Sequence, residues 1–77
     1  MPDNDNLPPR DRYVMVEALS FTIEALSLLP IEHRPDNNIT DMKRLLGELI
    51  RTDPALSAFQ EIAHRRLENL KRVLRSS

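Results

Sequence analysis

The stretch EALSFTIEALSLLP, residues 17–30, contains the tetrapeptide EALS twice, with the second copy seven residues after the first. Most residues between and after the two copies are apolar. A seven-residue period keeps one face of a helix against a neighbouring helix along its whole length. The stretch therefore predicts a long helix that packs against other helices.

The apolar surface of this first helix is unusually wide. On a helical wheel of residues 13–29 every polar residue except Thr22 falls within a wedge of roughly 80°. The apolar residues span about 240°, whereas a core-facing helix needs only about 100°. The polar wedge consists of Tyr13, Glu17, Ser20, Glu24 and Ser27. Soluble monomers rarely leave a large apolar strip uncovered unless it binds something. The width indicates a second apolar face; the alternative is a bundle in which two helices wrap the first one fully.

The apolar arc divides into two seams. One seam comprises Val14, Ala18, Phe21, Ala25 and Leu28, and the other comprises Met15, Leu19, Ile23 and Leu26. Only one seam is needed for the core of a single chain. Because Ala18 and Ala25 lie one heptad apart and let another helix approach closely, we predict that their seam is an interface. The expected partner is a second copy of the chain, and a different protein is a further possibility.

The remainder of the chain predicts an all-α, three-helix domain, with helices at about 9–29, 39–52 and 54–75. Pro9 and Pro54 suit the first turn of a helix, and Pro30 ends the first helix because it disfavours helical geometry at the residue before it. Asn38 and Asp53 are expected to cap the second and third helices. Apolar residues recur every three or four positions in both. They are Ile39, Met42, Leu45, Leu46, Leu49 and Ile50 in the second helix, and Leu56, Phe59, Ile62, Ala63, Leu67, Leu70, Val73 and Leu74 in the third.

The ends of the chain are expected to lie outside this domain. Residues 1–8 are too polar to bury much surface and predict a flexible arm, residues 9–75 predict a single helical domain, and residues 76–77 predict a tail. The acidic N-terminus is unlike a secretion signal, and Glu17 and Glu24 interrupt the most apolar segment. We therefore expect a cytoplasmic protein without a membrane span.

The small size of the chain favours association. A chain of 77 residues buries only ~60% of its unfolded surface, so its core needs a supplement. The sequence contains no cysteine, which removes disulfides and thiolate metal sites. We expect dimerisation to complete the helical bundle. Gly47 flanks the apolar stripe of the second helix, a position that close approach of another helix would explain; a chance occurrence is the alternative.

The third helix contains the best candidate for chemistry, His64. Glu61 and His64 have the Glu-x-x-His spacing of di-iron bundles, but the wheel points both away from the apolar stripe, so we predict no metal site. The segment EIAHR, residues 61–65, with Asn69 and Leu70 after it, resembles the phospho-acceptor helix of a histidine-kinase family. That resemblance implies His64 as a phosphorylated residue. Nothing else suggests catalysis or a cofactor site, and we predict that the protein is not an enzyme.

Charge is divided unevenly along the chain. Residues 1–53 carry ten acids and six bases, a net of −4, whereas residues 54–77 carry two acids and five bases, a net of +3. A basic third helix could bind nucleic acid. The order of Glu61 before Arg65, and of Glu68 before Arg72, instead predicts intrahelical pairs on a solvated face, which disfavours that function.

One basic residue of the third helix falls inside its apolar arc. Arg66 is expected either to extend to the rim of the core or to form a buried ion pair with Glu17 or Glu24 of the first helix. Taken together, the patterns predict a small, non-enzymatic regulatory or adaptor-type protein that acts through protein contacts. The alternatives are a nucleic-acid-binding protein that uses the third helix and a phosphotransfer-like module that uses His64.

Overall fold

The computed structural model describes residues 9–76, which form three α-helices and contain no strand. The helices are α1 (Pro9–Ser27), α2 (Asp36–Thr52) and α3 (Ala58–Ser76), and two 3-10 turns, Ile31–His33 and Pro54–Ser57, connect them. The all-α, three-helix prediction is confirmed. The predicted arm, residues 1–8, and Ser77 lie outside the described residues.

The helix α1 ends two residues earlier than predicted. The amide of Leu28 donates to the carbonyl of Ala25 at 3.2 Å, and the amide of Leu29 donates to that of Leu26 at 3.2 Å. These bonds span three residues instead of four, so the chain tightens before Pro30. Arg34 then stabilises the turn, because its guanidinium donates to the carbonyl of Leu29 at 3.0 Å.

The other helix starts also differ from the prediction. Asp36, not Ile39, is the first residue of α2, because the carbonyl of Pro35 accepts a hydrogen bond from the amide of Ile39 at 3.0 Å. Asn38 therefore lies inside the helix and is not its cap. Asp53 precedes a 3-10 turn, and its side chain makes no capping hydrogen bond. The amide of Leu56 bonds to the carbonyl of Asp53 at 3.0 Å, so α3 begins only after this turn.

The core lies where α1 crosses the other two helices. The helix α1 packs against both α2 and α3, whereas α2 and α3 meet chiefly through the turn between them. The buried apolar side chains are Val16, Ile39, Leu46, Leu49, Leu56, Ala63 and Leu67. The rings of Tyr13 and Phe59 stack at the edge of this core, with their centroids 4.7 Å apart. The result is a flat molecule of 44 × 26 × 15 Å.

Packing fixes which side of α1 faces inward. Val16 and Ser20 are its buried residues, and Met15, Leu19 and Ile23 pack partly against the core. The polar wedge predicted for α1 is therefore not a solvated side of the helix, because Ser20 in its middle is only 6% exposed. The wheel puts Ala18 about 160° from both Val16 and Ser20, on the side that faces away from the core.

Gly47 has no packing role in the structure. A Cβ atom added to it would have no neighbour within 4 Å, and the residue is exposed on α2. The expectation that this glycine permits close approach of another helix is therefore wrong for the single chain, since α1 contacts the opposite side of α2 through Leu46 and Leu49.

Candidate interaction surface

The outer face of α1 contains four of the five residues predicted as an interface, and the fifth, Leu28, follows the helix directly. Val14 is 45% exposed, Leu28 is 60% exposed and Ala18 is exposed, while Phe21 and Ala25 are half-buried. This seam lies beside the inward-facing seam but is not part of the core. We call it the outer seam. It leaves apolar side chains in contact with solvent over about four turns of helix.

A groove runs between the outer seam and α3. Its volume is about 380 Å³. The residues that line it are Val14, Glu17, Ala18, Phe21, Thr22, Ala63 and Arg66. The groove is open because the side chains of Ala18 and Ala63 are small and do not extend far from their helices. Three of the five predicted interface residues therefore line one concave surface, which we call the α1–α3 groove.

An ion pair crosses this groove. Arg66 Nη1 lies 3.4 Å from Glu17 Oε1, and the arginine side chain is 67% exposed while that of the glutamate is 18% exposed. Arg66 therefore extends to the rim and meets Glu17 there, so the pair is not buried as a whole. Exposed pairs of this kind contribute at most about 1 kcal/mol to stability, and their main effect is to place charge at the groove.

Glu24, the other acid considered for Arg66, contacts His64 instead. His64 Nδ1 lies 2.8 Å from Glu24 Oε1, and the two side chains are 50% and 38% exposed. The hydrogen bond to Glu24, and then its negative charge, raises the pKa of His64 above its ordinary value of 6.5. The imidazole is thus held between α3 and α1 in a solvated position. Within residues 9–76 no three His, Cys, Asp or Glu side chains are grouped so that they could hold a metal ion.

A small recess lies beside this pair, between residues of all three helices. It has a volume of about 160 Å³ and is lined by Ser20, Ile23, Glu24, Leu46 and Gln60. In the described part of the chain, Ser20 Oγ and Glu24 Oε2 are buried without a hydrogen-bond partner. Sequence reasoning missed this recess, because it treated Ser20 as part of a polar face.

The last turns of α3 carry a second exposed apolar surface. Leu70 is 43% exposed, Val73 is 61% exposed and Leu74 is 64% exposed. The pattern of the third helix predicted these residues as core, but in the single chain α1 does not cover them, because it crosses α3 nearer Ala63. Ile31, in the connection after α1, is a further exposed apolar residue, at 72% exposure.

Ion pairs occupy much of the basic face of α3. Arg65 Nε lies 3.6 Å from Glu61 Oε1, as the spacing predicts. Lys71 Nζ lies 2.7 Å from Glu68 Oε2, so Glu68 pairs with Lys71 where the sequence predicted Arg72. The hydrogen bond from Lys71 lowers the pKa of the Glu68 carboxyl. Ion pairs of this kind are typical of a helix surface that faces solvent.

Among the described residues, no helix combines the length and the apolar composition that crossing a membrane requires. No protein-family model matches the chain, and no curated protein or solved structure is significantly similar to it. The arguments that follow therefore rest on the chain's own residues and geometry.

Proposed function

We propose that this protein is a non-enzymatic interaction protein of the regulatory or adaptor type, and that it self-associates through the outer seam of α1. One observation carries the proposal: an apolar seam with a heptad period lies on the outer face of α1, where Val14 and Ala18 are exposed, and it continues to the exposed Leu28 just after the helix. An uncovered apolar surface of this kind marks a binding site more often than it is tolerated in a monomer.

The composition of the seam supports a helical partner. Ala18 and Ala25 are small and lie one heptad apart, so a second helix can approach α1 closely between the larger Phe21 and Leu28. A helix with the same seven-residue period matches this spacing along its length, and a second copy of the chain offers one. Closed, two-fold dimers are the commonest form of self-association.

The size of the core supports association for a separate reason. The described residues bury only seven apolar side chains, and two of these, Val16 and Leu49, are the largest that are fully buried. A domain this small rarely gains more than ~3–5 kcal/mol from its core. Covering the outer seam buries further apolar area at ~25 cal/mol per Å².

Sedimentation equilibrium tests the proposal. The wild type should have about twice the 8.9 kDa mass of the chain at micromolar concentrations. Ala18→Glu should shift it to monomer, because a charge would have to be buried in the interface. Ala18 is exposed in the single chain, so helical circular dichroism should be retained.

The matched control is Thr40→Glu, which adds the same charge at an exposed position of α2. It should leave the dimer intact. Ile23→Glu gives the opposite outcome, since Ile23 packs against the core and a charge there should unfold the chain. A wild type that remains monomeric at high micromolar concentration contradicts self-association.

A further inference from the structure

We infer that the recess between the three helices is a binding site for the ammonium group of a small primary alkylamine, which the oxygens of Ser20 and Glu24 hold. This site is separate from the outer seam and does not depend on self-association. Its volume of about 160 Å³ exceeds what one water molecule requires. A cavity of about 150 Å³ can hold benzene, so the recess has room for an alkyl chain of a few carbon atoms.

The hydroxyl of Ser20 is the first observation that indicates a ligand. Ser20 is 6% exposed and lines the recess, and its Oγ has no hydrogen-bond partner within the described chain. Ser27, the matching serine of the second EALS copy, donates to the carbonyl of Ile23 at 2.6 Å, and Ser76 donates to that of Arg72 at 2.9 Å. The buried serine therefore lacks the bond that these exposed serines make, although a buried hydroxyl without a partner destabilises a fold.

The carboxylate of Glu24 supplies a second acceptor. Its Oε1 lies 2.8 Å from His64 Nδ1, whereas its Oε2 is buried without a hydrogen-bond partner in the described chain. Glu24 follows Ser20 by one helical turn, so both side chains lie on the same side of α1. Among the described residues that line the recess, Glu24 is the only charged one. A ligand that satisfies both oxygens must donate hydrogen bonds, and a positive charge strengthens those bonds.

The remaining lining residues favour an alkylammonium over a metal ion. Ile23 packs against the core and Leu46 is 8% exposed, so together they offer an apolar wall for an alkyl stem. Gln60 is exposed and has an amide oxygen that can accept a further hydrogen bond. In the described chain no three acidic, histidine or cysteine side chains are grouped as metal ligands. One carboxylate beside an apolar wall matches a ligand with a charged head and an apolar stem.

His64 determines the pH range in which the amine binds. The hydrogen bond and the charge of Glu24 raise the pKa of this imidazole, and Glu68 and Glu61 of α3 raise it further. Those two acids have basic partners on their own helix. Once His64 is neutral, the charge of Glu24 is unmatched and an ammonium group binds without competition. The affinity should therefore rise as the pH increases above the pKa of His64, and bound amine should lower that pKa.

An NMR titration tests the inference. Protein with labelled isoleucine and leucine methyl groups is titrated with butylammonium chloride at about pH 9, where the amine is still protonated, and sodium chloride keeps the ionic strength constant. The methyl signals of Ile23 and Leu46 should shift and saturate, with a dissociation constant of about 1 mM for so small a ligand. Butan-1-ol, which has the same stem without the charge, should bind at least about tenfold more weakly.

Matched variants assign the binding to the two oxygens. Ser20→Ala and Glu24→Gln should each weaken binding at least about fivefold, because each removes an acceptor or its charge. Ser27→Ala and Glu61→Gln make the same chemical changes at exposed positions and should bind as the wild type does. Circular dichroism should show unchanged helix content in all four variants.

A second ligand distinguishes a free amine from a lysine side chain. Nα-acetyl-lysine amide carries the same ammonium group on a larger body, and it should bind at least about fivefold more weakly than butylammonium because the recess is small. Equal binding of the two overturns the assignment to a small amine. A titration without saturation, an equal response to butan-1-ol, or wild-type affinity in Ser20→Ala overturns the site itself.

Discussion

At the scale of single residues, the contact between His64 and Glu24 connects α3 to α1 through one hydrogen bond of 2.8 Å. The wheel predicts that His64 points away from the core, and its side chain is 50% exposed. What the wheel cannot give is the partner, because Glu24 lies forty positions earlier in the chain. The carboxylate raises the pKa of His64, with smaller contributions from Glu61 and Glu68 of the same helix.

This contact predicts a pH dependence of stability. The pKa of folded His64 is raised above 6.5, so its contribution is fully present below the pKa of the unfolded chain and is lost as pH rises through the higher folded value. The melting temperature should therefore fall as the pH rises above about 6.5, and Glu24→Gln should reduce this fall.

An NMR titration of the His64 imidazole provides the direct check. The pKa in Glu24→Gln should be lower than in the wild type, because the substitution keeps the shape of the side chain but removes its charge. Equal values in the two proteins would show that Glu24 does not hold the imidazole in solution. Since both side chains are solvated, high salt should reduce the difference.

At the scale of elements, α2 contains one residue, Gly47, that lowers the stability of the helix. Gly47 costs about 1 kcal/mol relative to alanine in a helix interior, and no neighbour requires its missing side chain. Gly47→Ala should therefore raise the free energy of unfolding by ~0.5–1 kcal/mol. Urea denaturation of the wild type and the variant, at equal protein concentration, measures this difference.

The same substitution also reports on association. The dimer that we propose uses the outer seam of α1, so Gly47→Ala should leave the dissociation constant unchanged. A lower stability, or a weaker dimer, would show that another helix does approach Gly47 closely in the assembly. The glycine would then have the role that its position beside the apolar stripe first indicated.

At the scale of the whole molecule, the flat shape follows from the way α1 lies across two helices that meet mainly at their connection. Such an arrangement buries the crossing and leaves the far side of α1 and the end of α3 uncovered. Because the proposed dimer covers the outer seam of α1, folding and association should be linked.

This linkage predicts that thermal stability depends on protein concentration. For a coupled dimer of this chain length, the melting temperature should rise by roughly 4 °C for each tenfold increase in concentration. Ala18→Glu should abolish the dependence, whereas Thr40→Glu should keep it. A wild-type melting temperature that is the same from 5 to ~500 µM would contradict coupling.

Local patterns in the amino-acid sequence are enough to predict the three helices of this protein. Prolines place the connections, apolar residues at three- and four-residue spacing specify the helices, and the heptad repeat divides the apolar arc of α1 into two seams. These features depend on local backbone preferences and on the period of the helix, which neighbouring residues in the chain carry. The structure moves four of the six helix ends, by one to four residues, and single hydrogen bonds to the carbonyls of Pro35 and Asp53 decide the starts that follow them.

The rotation of each helix about its axis, and the residues of other helices that it contacts, follow from tertiary packing. A wheel with 240° of apolar surface has no unique inward side. In the structure, the side of α1 that contains Val16, Leu19 and Ile23 packs against the core, and the small Ser20 is buried on the same side. The same rotation exposed Val14 and Ala18, brought Glu17 to Arg66 and Glu24 to His64, and left Gly47 without a neighbour. Rotation and crossing are set by contacts between residues far apart in the chain, and a helical period contains no information about them.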